Sequence, residues 1–407
     1  MKNNAVEESL LAVAGINALA ADNLRQFGLP TRRVEAWHYT DLRRLLTQIP
    51  ARAEVLDAEA AKAAAANYPR IVPATRLPLF NGKYLENLAD DLPKGANVSV
   101  NDGACEFAYS RDDAIGLLHA IMGGEGVAIE IDEGAIIDTP FGMPHTSINA
   151  GYSGLMHSVD VGKDAKASFV ERYLSPDDTG VQVNSISHLN VGEGAEVVWA
   201  ILQEHGNETT HLAQLNITLS AGAKLTILVL NCGGKLVRQE INVDVVGENS
   251  NLNILGVNLI GGESHIDVTT KLNHAVAGTV SSQLYRNVAT HRGQGVFQGQ
   301  INVAQAAQQT DAKMACNTLL LSDDAEFSAK PELEIFADDV LCGHGATVTD
   351  IDDDHLFYLN ARGIPPKEAR ALLIKAFVDE TFEDLGDERF EQALIARIDT
   401  WLEENGS

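Results

Sequence analysis

The sequence predicts a mainly β fold: a right-handed parallel β-helix (solenoid) core flanked by N-terminal and C-terminal helical regions. Three observations carry this expectation. A short motif recurs at near-constant spacing through the middle of the chain, strand-like alternation fills the intervals, and both ends switch to helical periodicity.

The recurring motif is an aliphatic residue, a short turn of small and acidic residues, a small residue, and then alternation. Its copies begin at Ile131-Asp132-Glu133-Gly134-Ala135, Val161, Val191, Leu219 and Val246, at spacings of 30, 30, 28 and 27 residues. A sixth copy, Leu321-Ser322-Asp323-Asp324-Ala325, follows after a gap of 75 residues. Gly, Asp and Asn tolerate the positive φ that a tight corner needs. Alternation then turns every second side chain inward: Val191, Ala195, Val197 and Trp199 in one copy, Leu219, Ala223, Leu225 and Ile227 in the next. A single copy cannot bury its inner face, so copies must stack. A period near 30 without an internal helix suits roughly seven or eight coils, each rising about 4.8 Å. The six-residue repeat of a left-handed hexapeptide helix is absent. A sandwich of regular hairpins is the alternative, and the near-equal spacings favour the solenoid.

Residues 1–126 are assigned to an N-terminal helical and mixed region, 127–358 to the β-helix core and 359–407 to a C-terminal helical region. An amphipathic helix is expected through Leu10–Ala21, on the periodicity of Leu10, Val13, Ala14, Asn17 and Leu24, with a stop at Gly28-Leu29-Pro30. A second, Ala-rich helix is expected over about 54–67, and prolines break up residues 69–128. Near the C-terminus, Pro365 and Pro366 suit a helix start, with Gly386 as the stop. A further helix runs from Glu388 to Glu403 with Phe390, Leu394, Ile398 and Leu402 on one face. This hairpin is expected to cover the last open strand edge or to present a docking surface.

Charge excludes whole classes of function. With 57 acidic against 30 basic residues, the net charge of −27 disfavours nucleic acid and anionic membranes. No apolar run is long enough to span a bilayer. The apolar stretch Leu10–Ala21 follows Glu7 and Glu8, unlike a signal peptide, and lacks the Arg/Ser richness of a transit peptide. Cys105, Cys232, Cys316 and Cys342 are widely spaced and form no CxxC, which reads as a reducing compartment and a cytoplasmic protein.

Phosphate-loop, dinucleotide-binding, HExxH and GxSxG patterns are absent, so no catalytic residue is assigned. Acidic pairs such as Asp112-Asp113 read as solvated turns. One stretch near the end of the core carries chemistry. Cys342 and His344 are two apart, so on a strand they face the same side about 7 Å apart at the backbone. A thiolate and an imidazole there can share iron or zinc, with Gly343 and Gly345 leaving room around the His. Two ligands do not complete a tetrahedral site, so the remainder must come from another coil, a second protein or sulfide. A buried structural Cys and His is the competing reading. A second polar group is His265, Asp267 and His274, read as a structural ladder. Trp37-His38-Tyr39 after Arg32-Arg33 reads as a domain-packing anchor.

Several boxes taken together resemble the SufB/SufD family of iron–sulfur cluster assembly proteins. They are Pro30–Thr40, His265-x-Asp267 with His274, Phe297–Val303, Leu319–Ser322, Pro331–Asp339, the Cys342-x-His344-Gly345-Ala346-Thr347 box, Phe357-Tyr358-Leu359 and Arg362–Pro365. His344-Gly345-Ala346, where SufB-like chains carry His-Glu-Ala, together with the modest length, resembles the SufD branch. Leu341 and Gly343 depart from the Lys and Ser frequent there.

The resemblance implies a non-catalytic scaffold subunit of an ATPase-containing SUF complex. It would pair with a SufB-like paralogue and dock a SufC-type ABC ATPase on its C-terminal helices, with Lys367, Leu373, Phe377 and Glu380 as candidate contacts. ATP-driven closure would strain the paired β-helices and expose the nascent site at their junction. Cys342 and His344 would face that junction, acquiring iron or holding a transient iron–sulfur cluster shared with the partner. Family complexes are also associated with reduced flavin, although no flavin motif is present. Two other readings remain: a purely structural β-solenoid subunit, and a β-helix polysaccharide lyase or hydrolase. Three Trp, no aromatic ladder and no export signal argue against the last.

Overall fold

The computed structural model describes residues 3–13, 15–104, 110–382 and 385–405. Ala14 and Cys105 lie outside the described residues. The chain begins with helices α1 (Ala5–Leu11), α2 (Ala18–Phe27), α3 (Leu42–Leu45) and α4 (Ala58–Ala65). Short strands β1 (Thr75–Arg76), β2 (Leu79–Phe80), β3 (Lys83–Tyr84) and β4 (Ala96–Asn101) follow, then helix α5 (Ala114–Met122). The expected single helix over Leu10–Ala21 is two helices. Gly15 takes φ 73° between them, and Asn17 caps α2 by accepting from the Ala20 N–H. Helix α5 falls in the stretch read as broken; its Asp113 N-cap and the Gly123 C-cap at φ 67° bound it.

The solenoid strands are β5 (Gly126–Ile131), β6 (Phe141–Thr146), β7 (Gly151–Val161), β8 (Lys166–Leu174), β9 (Val181–Val191) and β10 (Glu196–Glu204). They continue as β11 (Thr210–Leu219), β12 (Lys224–Asn231), β13 (Leu236–Val245), β14 (Asn251–Ile260) and β15 (His265–His274). The last are β16 (Val280–Ala289), β17 (Gln294–Val303), β18 (Asp311–Leu320), β19 (Glu326–Ile335) and β20 (Leu341–Thr349). Odd-numbered strands stack in one parallel sheet and even-numbered strands in the other, so each turn contributes one strand to each. Residues in register therefore form columns. One column of corner residues runs Ile131, Val161, Val191, Leu219, Val245, His274, Val303 and Ile335.

That column confirms four motif starts and corrects two. Val245, not Val246, is the inward residue of the fifth corner; Val246 is 49% exposed because the turn there holds one extra residue. Leu321 belongs to the opposite corner, between β18 and β19, where Ser322 Oγ accepts from the His291 N–H at 2.9 Å. The gap of 75 residues hides two corners lacking the acidic turn, at His274 and Val303. Buried His274 replaces the aliphatic residue and bonds Thr279 Oγ1 at 2.8 Å and Ser281 Oγ at 2.9 Å. At regular corners, Asp164 (φ 54°) and Gly194 (φ 68°) make the turn and Ala165 and Ala195 are fully buried behind it. Inside, a file of amides runs along the axis. Asn231 Nδ2 donates to Asn258 Oδ1 (2.8 Å), Asn258 Nδ2 to Asn287 Oδ1 (2.7 Å), and Asn287 Nδ2 to Thr318 Oγ1 (3.0 Å).

Both outer faces are covered, which is why strands such as β12 read as continuous apolar runs. The N-terminal segment packs Leu10, Leu24, Trp37, Leu42 and the α5 residues onto Met156, Ile186, Leu212 and Leu236 of the odd sheet. C-terminal helices α6 (Asp353–Ala361), α7 (Pro366–Asp379) and α8 (Glu388–Asn405) follow the solenoid. Ile374, Val378, Phe390, Leu394, Ile398 and Trp401 of α7 and α8 pack on outward residues of the even sheet, from Val170 to Leu319. The expected cover over the last strand edge is thus corrected. The apolar faces of these helices match the wide face of the sheet, and β19 and β20 end their sheets unpaired.

The other end of the solenoid is closed. β4 pairs antiparallel with β5, and β2 extends the even sheet beyond β6. Asn81 (φ 48°) and Gly82 (φ 79°) form the two-residue turn of the β2–β3 hairpin, the geometry Asn-Gly favours. No helix among the described residues is long and apolar enough to cross a membrane.

Candidate metal and partner site

β20 pairs with β18 in parallel register, placing Cys342 beside Ala312, His344 beside Met314 and Ala346 beside Cys316. Ala312, Met314 and Cys316 are buried in the solenoid core, so Cys342 and His344 continue an inward-facing row. No coil follows. Cys342 is half-buried against the core and His344 is exposed at the mouth of the interior. A Cβ at Gly343 or Gly345 would meet nothing within 4 Å, so the strand is open to an incoming group. Burial, and the nearby Asp311 carboxylate, hold the Cys342 thiol above its usual range, against a hydrogen bond with the Ala312 backbone. Binding a metal there would release a proton.

Among the described residues, no third His, Cys, Asp or Glu joins this pair in a metal-sized cluster. A four-coordinate site on this strand needs two further ligands. The surroundings suit a partner: Ile335, Phe336, Leu341 and Val348 of the last coil are 41–71% exposed. The last coil thus presents two free strand edges, two potential ligands and an apolar rim.

The candidate ATPase contacts divide. Leu373 and Phe377 are half-buried against the even sheet. Arg286 of β16 lies 4.7 Å over the Phe377 ring, donates to the Phe377 carbonyl at 2.8 Å and pairs with Glu380 at 2.6 Å. These three residues tie α7 to the solenoid. Lys367 is exposed, and so are the large apolar groups of Leu372 (50%) on the same helix and of Phe357 (74%) and Tyr358 (57%) on α6.

The second polar group separates by face. His265 and Asp267 point outward beneath the N-terminal segment, and His274 points inward. Arg238, fully buried, donates to Asp267 at 2.5 Å, to Glu240 and to the Ala36 carbonyl, and lies 4.0 Å over the Trp37 ring. Thr40 Oγ1 bonds His265 Nε2 at 2.9 Å and also donates to Asp267. Trp37 is completely buried and supplies the packing anchor, while Arg32, Arg33 and His38 are exposed.

Sequence reasoning missed a third group. His145 (β6), His157 (β7) and Glu171 (β8) face one another inside the solenoid where its first two coils meet, with ligand atoms within 4.8 Å of one another. Their signal was polar residues on inward positions of strands, but only coil-to-coil register brings them together.

A profile described as "SUF system FeS cluster assembly, SufBD core domain" matches residues 148–377. The chain is 32% identical to the iron-sulfur cluster assembly protein SufD of Escherichia coli, over 92% of this chain and 90% of the relative. A SufBD family protein of Synechocystis is 27% identical over 90% of this chain and 86% of its own length. Protein ABCI7, chloroplastic, of Arabidopsis thaliana is 27% identical over 75% of this chain and 65% of its own length. The β-solenoid, the ordered sequence boxes and these matches agree: the chain belongs to the SufB/SufD family of SUF-system iron–sulfur cluster assembly proteins.

Proposed function

We propose that the chain is a SufD-like, non-catalytic scaffold subunit acting in the cytoplasm. It pairs with a SufB-like paralogue through its last coil and docks a SufC-type ATPase on its C-terminal helices. The observation that carries this reading is the open terminal strand. It holds Cys342 and His344 in the inward row, with Leu341, Val348 and Phe336 exposed on the same coil and no third ligand beside them among the described residues. A second open coil laid against β19 and β20 would satisfy both edges, bury the apolar rim and bring the missing ligands. Iron or a nascent iron–sulfur cluster is then the cargo of the junction. In this arrangement α7 is a lever fixed to the sheet by Phe377 and Glu380. Lys367, Leu372, Phe357 and Tyr358 form the accessible surface for the ATPase.

The test is His344→Ala in the co-expressed complex. The partner and the ATPase should co-purify unchanged, while cluster delivery to an apo-acceptor falls by about tenfold or more, the loss of one ligand-scale interaction. Undiminished delivery would remove His344 from the site. Failure of the wild-type chain to bind the paralogue would remove the pairing itself.

A further inference from the structure

We propose a second metal site inside the solenoid, at the meeting of its first two coils, where His145, His157 and Glu171 take a divalent first-row transition ion, zinc or ferrous iron. It is separate from the terminal strand. Along the even sheet, β6 and β20 are seven strand steps apart, roughly 34 Å at about 4.8 Å per step.

The donors converge from three consecutive strands and all three are buried. Neither ring nitrogen of His145 has a hydrogen-bond partner, and Nε2 of His157 has none. Unpaired buried nitrogens also occur at His119, His205 and His211, but only here do they meet a carboxylate in a ligand-sized cluster among the described residues. Glu171 accepts from Ser187 Oγ at 2.5 Å, and burial raises its carboxyl to about 7 against hydrogen bonds from Ser187, Trp199 and Tyr173. A carboxyl buried in this way is relieved by a proton or by a cation, and a divalent ion would supply the cation. Two imidazoles and one carboxylate form the donor set of open zinc and non-haem iron sites.

The rest of the pocket positions these groups. The Tyr173 ring stacks on His145 at 4.4 Å, and the His157 ring lies 4.9 Å away. Val127 N–H donates to His157 Nδ1 at 3.1 Å, which leaves the ring proton on Nε2. Ligation at Nε2 therefore moves that proton to Nδ1 and gives up this hydrogen bond, a small loss beside a metal–ligand bond. Because all three donors are enclosed, the ion enters as the chain folds and stays trapped in the native protein.

The full chain carrying Cys342→Ser and His344→Ala isolates this site from the terminal strand. Refolded with Zn²⁺, or anaerobically with Fe²⁺, it should retain one equivalent through native EDTA dialysis and release it on unfolding in EDTA. Retention in the zinc or the iron arm identifies the ion. Co²⁺ should give visible d–d bands from the same pocket. Adding His145→Gln or Glu171→Gln, each near-isosteric, should bring retained metal from one equivalent to below about 0.1, with an unchanged β-sheet circular dichroism spectrum. If His145→Gln does not fold, Glu171→Gln alone decides. Equal metal in the Glu171→Gln variant, or no metal retained by the parent chain in any arm, overturns the proposal.

Discussion

The two ends of the even sheet carry a leucine each, in opposite circumstances. Leu79 of β2 is fully buried where the short N-terminal strands close the solenoid, and Leu341 of β20 is 71% exposed where nothing follows. Sheets normally blunt such edges with charge, proline or a covering element. Here one end is covered from within the chain and the other presents an apolar rim with two potential ligands. The difference is the one the proposed pairing needs: an end left uncovered by the chain itself is the end a partner would cover.

The largest expected effect tests that contrast directly. Leu79→Ala should lower the unfolding free energy of the isolated chain by about 2–5 kcal/mol. Leu341→Ala should change it by no more than about 0.5 kcal/mol. Urea unfolding measures both. Equal losses would show the last coil to be buried in the free chain.

Acid should attack the enclosed interior. Burial lowers His205 to about 3 and His274 to about 4. Below the unfolded value near 6.5, the unfolded chain takes up protons that these folded histidines refuse. Stability is therefore fully present above about pH 6.5 and is lost as pH falls toward 4. At pH 5 each should have removed about 2 kcal/mol. Replacing both by Gln should flatten the measured dependence between pH 6.5 and 5. An unchanged slope would assign the acid sensitivity to other groups.

Smaller effects are expected at the open end. Leu341→Asp should weaken binding of the SufB-like partner by about tenfold or more, about 1.4 kcal/mol, with the melting temperature of the free chain unchanged. Wild-type affinity in this variant would place the partner elsewhere. The smallest effect is on folding at the ligand strand: His344→Ala should alter unfolding of the free chain by less than about 0.5 kcal/mol, whatever it does to cluster delivery.

Much of this molecule was legible in one dimension. Alternation and corner chemistry located the solenoid, because a corner needs positive φ wherever it occurs, as at Asp164 and Gly194. The same generality misled at Leu321: the two corners of a coil use one turn chemistry, so the motif does not say which it marks. The corners at His274 and Val303 escaped because a buried His and an Ala-rich turn replace the usual residues. That Cys342 and His344 lie on one face was readable from their spacing, since residues two apart on a strand point the same way. The apolar faces of α7 and α8 predicted packing, but not that its target was the face of the even sheet. His145, His157 and Glu171 lie on three strands, and their meeting depends on register alone.

The in-register stacking, with its file of Asn231, Asn258 and Asn287, has a mechanical consequence. Each coil is held mainly by the coils on either side, so cohesion is local along the axis. The terminal coil has one such neighbour and can fray while the middle stays intact. Amide exchange should therefore form a gradient, fast at β20 and slow at β10 to β14. A partner seated on β20 would turn that fraying tip into an internal rung, and the gradient should vanish at the junction.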